Sequence, residues 1–260
     1  MNYNYHTHTK RCGHASGSPE EYVLRAMEGG IKYMGFSDHM PLIFNDGSEG
    51  KGKMTFSEAA EYCDEIRALQ KKYKDRIDIS LGFEAEYYEE YLDQTIITAR
   101  DLGIDYLILG QHYVRPENEE GVRHTCVPTN DEDFLCEYVL SVVSAMNTGV
   151  FTYVAHPDVF NFTGDDELYK KEMRKICVES KKLNIPFEIN FLGIRDGRAY
   201  PRMLFWEIAG EEKCPVTFGF DAHDVNSAYD GESFVKAMEM VEKYKLNYIG
   251  KPNLIFLNNV

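Results

Sequence analysis

The sequence has few cysteines, and their spacing shows no pattern typical of disulfide bonds. Six cysteines are scattered over 260 residues and include no C-x-x-C pair. Disulfide frameworks are typical of small secreted domains, and structural zinc sites of the Cys-rich kind need closely spaced thiolates. We therefore expect free thiols in a reducing compartment, at Cys12, Cys63, Cys126, Cys136, Cys177 and Cys214.

Long apolar runs are also missing. No stretch of the sequence approaches the ~20 apolar residues that a membrane span requires. The first ten residues, MNYNYHTHTK, lack the apolar segment of a secretory signal. These absences predict a cytoplasmic protein that has no membrane partner.

Basic residues are outnumbered by acidic ones. Lys and Arg number 28 against 43 Asp and Glu, so the formal net charge is −15. A surface of this sign repels phosphate backbones, which argues against a general nucleic-acid binder. With 43% hydrophobic and 27% charged residues, the composition is that of a folded protein. No linker rich in Gly, Pro or Ser divides the chain, so we predict one domain over residues 1–260.

Short β-rich runs alternate with longer helical patterns along the chain. This alternation predicts an α/β fold with a parallel sheet, either open or closed as a barrel. Polar loops at 40–55 and 114–128 follow strands and should lie at the carboxyl-terminal mouth, where α/β active sites form. Strands are predicted at 2–6, 33–37, 77–85, 106–112, 151–156, 185–190 and 215–221, with a short closing strand in the tail, 248–259. Helices are predicted at 19–29, 56–74, 88–102, 130–147, 166–183, 201–212 and 231–244, and S/T-x-x-E capping boxes begin at Ser18, Thr55 and Thr129.

Histidines and acidic residues concentrate at the ends of the predicted strands. His6 and His8 end the first strand, and Asp221 and His223 repeat the same spacing after the last. Because side chains alternate along a strand, residues two apart project from the same face. Imidazole and carboxylate donors without thiolate suit Zn, Fe, Mn or Co, and the whole set exceeds what one ion needs. His124 lies apart, in a loop. The other donors of the pattern are His14, His39, Glu84, His112 and His156.

Some of these polar residues have a second interpretation. Asp38 and Asp158 could cap helices or orient neighbouring histidines instead of reacting. The segment around His156 could be only a turn, because Pro157 removes a backbone donor.

The ordered motifs His6-x-His8, FSDH, GFE, GQH, AHPD and GFDAH resemble those of the PHP (polymerase and histidinol phosphatase) superfamily. The resemblance covers essentially the whole chain. It is strongest to the stand-alone histidinol-phosphatase branch, through THTKRCGHASGSPEEYV and EINFLGIRDGRAYP. It implies a distorted (β/α)7 barrel of the TIM-like kind, with a trinuclear metal site at the carboxyl-terminal mouth of the strands.

The resemblance also implies roles for individual residues. Arg195, in a Gly-Ile-Arg where the family has Gly-Leu-Arg, is the first choice for a phosphate clamp, and Arg198 is the second. Gln111 replaces a small residue of the relatives and would shape the pocket, while Tyr113 and Phe191 would flank the substrate's ring. The metal ligands would be His6, His8, Glu84 and Asp221 for one ion, Glu84, His112 and His156 for a second, and His14, His39 and His223 for a third.

The implied activity is the hydrolysis of L-histidinol phosphate to L-histidinol and phosphate, in histidine biosynthesis. Two or three divalent ions, Zn, Mn or Fe, would lower the pKa of a bridging water toward ~7, and the hydroxide would attack phosphorus directly. Asp38, Asp221 and His223 are candidates to protonate the leaving alcohol, and the sequence does not choose among them. Acidic loop residues could pair with the substrate ammonium, at Asp46, Glu49, Glu117, Glu119, Glu120 and Asp158.

Two other functions stay open at this point. One is a PHP phosphoesterase for another small phosphate monoester or for a nucleic-acid end, and the negative charge argues against the nucleic-acid variant. The other is a metal-binding scaffold without turnover. Because the donor set is complete, the sequence favours an enzyme. It carries no signal for the oligomeric state.

Overall fold

A sheet of eight parallel strands, which follow one another in chain order, forms the centre of the protein. It is seen in a computed structural model that describes residues 1–257. The register between neighbours pairs Asp38 with Phe83 and His39 with Glu84, so strand ends lie at a common edge. The strands are β1 (Tyr3–Asn4), β2 (Tyr33–His39), β3 (Asp78–Ala85), β4 (Tyr106–Leu109), β5 (Phe151–Val154), β6 (Phe187–Asn190), β7 (Pro215–Gly219) and β8 (Asn247–Tyr248).

Helices connect the strands, and each of the predicted ones is present with its ends shifted by a few residues. The capping box at Ser18 is confirmed, because its Oγ accepts from Glu21 N and its own N–H donates to Glu21 Oε2 at 2.7 Å. The cap predicted at Thr129 is wrong: Asp131 Oδ1 accepts from Phe134 N at 3.1 Å instead. The helices are α1 (Pro19–Glu28), α2 (Glu58–Tyr73), α3 (Leu92–Asp101), α4 (Glu132–Asn147), α5 (Asp166–Leu183), α6 (Phe191–Asp196), α7 (Met203–Glu212) and α8 (Gly231–Tyr244).

One helix was not predicted from the sequence. α6 follows β6 without a loop, because Asn190 Oδ1 accepts from Gly193 N at 3.1 Å and caps the first turn. The helix ends at Gly197, which has a left-handed φ of 63° that favours glycine. α6 and its left-handed end therefore set the direction in which the backbone continues after Gly197.

The curled sheet brings the first and seventh strands back together. Thr7 forms a parallel bridge with Ala222, in which His8 N donates to Ala222 O at 3.0 Å. At the other end, β8 pairs with β7 at Pro215 and Val216. The predicted TIM-like α/β fold is confirmed. The tail strand is only β8, which begins one residue before the predicted range, and 258–259 lie outside the described residues.

Tyrosine side chains fill the interior below the strand ends. Tyr106 is fully buried, and its hydroxyl donates to Tyr5 O at 2.7 Å. Gly82 leaves room for this ring, since a Cβ there would lie 2.4 Å from it. Packing of this kind makes the barrel a solid support for the strand ends. Within residues 1–257, none of the helices combines the length and the apolar character needed to cross a membrane.

Candidate metal centre

The strand ends bring the nine predicted donors together at one edge of the sheet. Glu84 lies at the centre of the cluster and is almost completely buried. Its Oε1 is 2.9 Å from His156 Nε2 and 3.7 Å from His112 Nε2. Its Oε2 is 3.1 Å from His39 Nδ1 and 3.4 Å from His8 Nε2. A carboxylate that faces imidazoles with both oxygens has the geometry to bridge two cations.

Asp221 is the centre of a second group of donors. Its Oδ1 lies 3.2 Å from His8 Nε2, 3.2 Å from His223 Nδ1 and 3.5 Å from His6 Nε2. The ring of His14 joins this side, with its Nε2 3.0 Å from His223 Nε2. The donors therefore occupy neighbouring positions around two buried carboxylates.

The electrostatics of the cluster fit cations. Burial alone would raise the pKa of Glu84, but the imidazoles, His112 foremost, hold it well below its usual range. Asp221 Oδ1 and Glu84 Oε2 are buried without a hydrogen-bond partner among the described residues. Burial also lowers the pKa of His39 to about 4, which keeps this ring neutral. Unpaired carboxylate oxygens beside imidazole nitrogens that can release their protons are the environment that Zn²⁺, Mn²⁺ or Fe²⁺ requires.

Two donors sit on an unusual backbone. His156 has a φ of 30° and Asp221 a φ of 48°, in the left-handed region that side chains other than glycine rarely adopt. Such conformations cost about 1–3 kcal/mol each and concentrate at functional sites. Here they turn both side chains into the cluster.

Buried carboxylates contact the histidine donors on the ring nitrogen that points away from the cluster. Two of these carboxylates were not predicted from the sequence. Glu188 accepts from His6 Nδ1 at 2.9 Å, and Glu86 Oε1 lies 3.1 Å from His112 Nδ1. Such contacts fix the ring orientation and leave Nε2 free for a metal. The signal for Glu188 was a lone charge in the apolar strand, and Glu86 lies two residues beyond Glu84.

Asp38 is another carboxylate that orients a histidine donor, and it does not face the cavity. It is fully buried, accepts from Thr9 N at 3.0 Å and lies 3.6 Å from His8 Nδ1. Its prediction as a catalytic acid is corrected, because the carboxylate faces the back of His8. Asp158 likewise accepts from Trp206 Nε1 at 2.8 Å and lies inside the protein.

A cavity of about 220 Å³ opens beside the donors. His124, which the strand-end pattern left apart, lines it, with ring centroids 5.4 Å from His112 and 5.0 Å from Tyr113. Both predicted mouth loops contribute to the wall. Besides the donors, the lining includes Lys53, Glu86, Tyr113, His124, Cys126, Leu192, Arg198 and Tyr200.

Three predicted substrate contacts lie elsewhere. Arg195 is held by Asp230 at 2.8 Å and does not line this cavity, whereas Arg198 does. Phe191 is fully buried and packs against core aromatic rings. The amide of Gln111 is used by backbone groups of the neighbouring loop, with Oε1 accepting from Tyr87 N at 3.0 Å. The prediction for Phe191 is therefore wrong, whereas the phosphate clamp at Arg195 stays a prediction, as does the pocket-shaping role of Gln111, whose Nε2 donates to Tyr113 O at 2.6 Å.

Known proteins resemble the chain over most of its length. A "Probable histidinol-phosphatase" of Deinococcus radiodurans is 30% identical over 233 residues, which cover 84% of this chain and 85% of that protein. A "Histidinol-phosphatase" of Bacillus subtilis is 24% identical and covers 86% of this chain and 96% of that protein.

A solved structure supports the same fold. The histidinol phosphate phosphatase of Lactococcus lactis, complexed with zinc, L-histidinol and phosphate, superposes with a TM-score of 0.71 at 20% identity. The match covers 95% of each chain. The PHP domain itself matches residues 4–191. The matched span runs from β1 into α6 and contains most of the clustered donors, and on this evidence the chain belongs to the PHP domain family.

Proposed function

We propose that this protein is a metal-dependent histidinol-phosphatase that hydrolyses L-histidinol phosphate to L-histidinol and phosphate. The observation that carries the proposal is the convergence of the nine donors around two buried carboxylates, with seven of the nine lining one cavity of small-molecule size. The relatives from Deinococcus radiodurans and Bacillus subtilis bear the histidinol-phosphatase name, which supports this choice of substrate.

The centre is proposed to hold two or three divalent ions, Zn, Mn or Fe. Zinc in the Lactococcus lactis enzyme supports this assignment, and the donor groups of this chain suit all three metals. Bound divalent ions neutralise phosphoryl oxygens and lower the pKa of a coordinated water toward ~7. The proposed ligands are His6, His8, Glu84 and Asp221, then Glu84, His112 and His156, then His14, His39 and His223.

Arg198 is proposed to hold the phosphate. It lines the cavity, as does Lys53, and its guanidinium carries five donors in a planar fork that matches phosphoryl oxygens. Tyr113 and His124 form an aromatic wall that suits the imidazole ring of histidinol. The polar groups of the cavity thus match a small phosphate ester with an aromatic end.

His223 and Asp221 remain the candidates to assist the leaving alcohol. Both line the cavity, but His223 is partly exposed, whereas Asp221 is buried. Because His223 reaches the open side, it is the better placed of the two to meet the alcohol oxygen.

The test is phosphate release by metal-loaded protein from L-histidinol phosphate, p-nitrophenyl phosphate, sugar phosphates and nucleoside monophosphates. We expect kcat/KM for histidinol phosphate to exceed the others by at least ~100-fold, near 3 kcal/mol of discrimination. A flat profile would keep the phosphatase and overturn the substrate. Metal binding without any release of phosphate would overturn the enzyme and leave a scaffold.

A further inference from the structure

A lysine is buried in the cavity wall between two glutamates. The side chain of Lys53 is 4% exposed, and its Nζ contacts the carboxylates of both Glu86 and Glu117. Burial alone would lower its pKa, but the two carboxylates raise the pKa above its usual value. The lysine is therefore a permanent cation in a place where an unpaired charge would be costly.

This ion pair leads directly to the metal centre. Glu86 contacts Lys53 through Oε2, while its Oε1 lies 3.1 Å from His112 Nδ1. The other nitrogen of the same ring, Nε2, faces Glu84 Oε1 at 3.7 Å. Lysine, carboxylate and imidazole thus form one chain of contacts that ends at a central donor of the cluster.

The same lysine joins the two mouth loops. Lys53 belongs to the loop that follows β2, and Glu117 belongs to the loop that follows β4. Beside this pair, Lys51 N donates to Glu117 Oε2 at 3.1 Å. Without Lys53, Glu86 and Glu117 would be two buried carboxylates with no cation between them, and Glu86 would lose the contact that holds its Oε2 while Oε1 faces His112.

We propose that Lys53 is a positioning residue, which sets the affinity of the metal at His112 by holding Glu86 in place and anchoring both mouth loops. The inference rests on the metal role proposed for His112. Residues that orient a metal-ligating histidine change metal affinity by about 10- to 100-fold when they are removed. An effect of this size is expected although Lys53 itself binds no metal.

The experiment measures Zn²⁺ affinity by competition with a chromophoric chelator, for the wild type, Lys53→Met, Lys53→Arg and Glu86→Gln. We expect Lys53→Met to weaken the binding of one zinc ion by about 10-fold, and Lys53→Arg, which retains the charge, to stay within about threefold. Lys72→Met is the matched control, because Lys72 also forms an ion pair with a glutamate distant in the sequence, Glu20, but that pair is exposed.

A double-mutant cycle separates positioning from a general effect on folding. In the Glu86→Gln background, Lys53→Met should add less than about twofold, since the route to His112 is already broken. If Lys53→Met does not fold, the double variant Lys53→Met/Glu117→Gln removes one charge of each sign and should show the same loss of zinc affinity. Unchanged zinc affinity in either variant overturns the proposal, and so does a full effect of Lys53→Met in the Glu86→Gln background.

A direct contact between Lys53 and substrate gives a different result. It would raise KM in Lys53→Met and leave zinc affinity unchanged, which overturns positioning. These readouts are also independent of the proposed activity: a wild-type protein that binds zinc and releases no phosphate contradicts the phosphatase, whereas the zinc affinities still decide the role of Lys53.

Discussion

Replacing Glu188 with glutamine changes one atom behind the metal centre and should weaken metal binding strongly. The carboxylate accepts from His6 Nδ1 at 2.9 Å, from His156 N at 3.2 Å and from Asn190 Nδ2 at 2.8 Å. Glutamine keeps the shape but has one acceptor oxygen. If that oxygen stays with His6, the new NH₂ group faces two other donors.

The size of the effect follows from these contacts. Losing the carboxylate partner of a metal-ligating histidine weakens metal binding by about 10- to 100-fold, which corresponds to about 1.4–2.7 kcal/mol. Mismatched buried donors should in addition lower the free energy of unfolding by about 1–3 kcal/mol. Both effects should appear in Glu188→Gln, because the side chain is fully buried and water cannot replace the lost acceptor.

The assay is a chelator-competition titration with Zn²⁺, followed by phosphate release at saturating metal. Glu207→Gln, at an exposed position of α7, is the control for a change of one charge. A zinc affinity of Glu188→Gln within twofold of the wild type would refute the argument that Glu188 orients His6.

Three further outcomes are expected. Gly219→Ala should lower the free energy of unfolding of the metal-free protein by about 1–3 kcal/mol in urea, because its Cβ would lie 1.7 Å from a buried glutamate oxygen. Gly231→Ala should not, because its Cβ would be in ordinary van der Waals contact, 3.5 Å from the Tyr229 side chain; equal stabilities of the two variants would contradict this. Arg198→Ala should raise KM for the phosphate ester about tenfold or more with little change in bound metal, and Arg195→Ala should affect KM less; the reverse order would return the clamp to Arg195. The neighbouring carboxylates outweigh burial and raise the pKa of His8 to about 9, so the metal-free site holds a proton that a cation must displace. Zinc affinity should then rise with pH from 7 to 9, by up to tenfold per unit for each proton released, and a flat profile would disprove the competition.

The positions of the donors were predictable because of a general property of parallel sheets. Carboxyl ends of the strands meet at one edge, so histidines that follow different strands, such as His39 and His156, must lie near each other. The H-x-H spacing of His6 and His8 adds the face from which they project. Distances along the sequence have no influence on this convergence.

The residues that contact substrate were harder to predict, and α6 explains why. Sequence patterns did not reveal that a helix begins directly after β6, so the directions of Arg195 and Arg198 could not be told apart. The helix turns Arg195 toward Asp230, and the left-handed Gly197 returns the chain so that Arg198 faces the cavity. Phe191, at the start of the same helix, is directed into the core.

The contacts between β1 and the end of β7 can form only late in the synthesis of the chain. They join residues 214 positions apart, such as Tyr3 and Thr217. At a translation rate of about 5–20 residues per second, roughly 10–40 s separate the emergence of His6 and His8 from that of Asp221 and His223. A nascent chain therefore exposes an early histidine pair that has no carboxylate from β7 to complete it. The complete set of donors therefore exists only after β7 has joined the barrel.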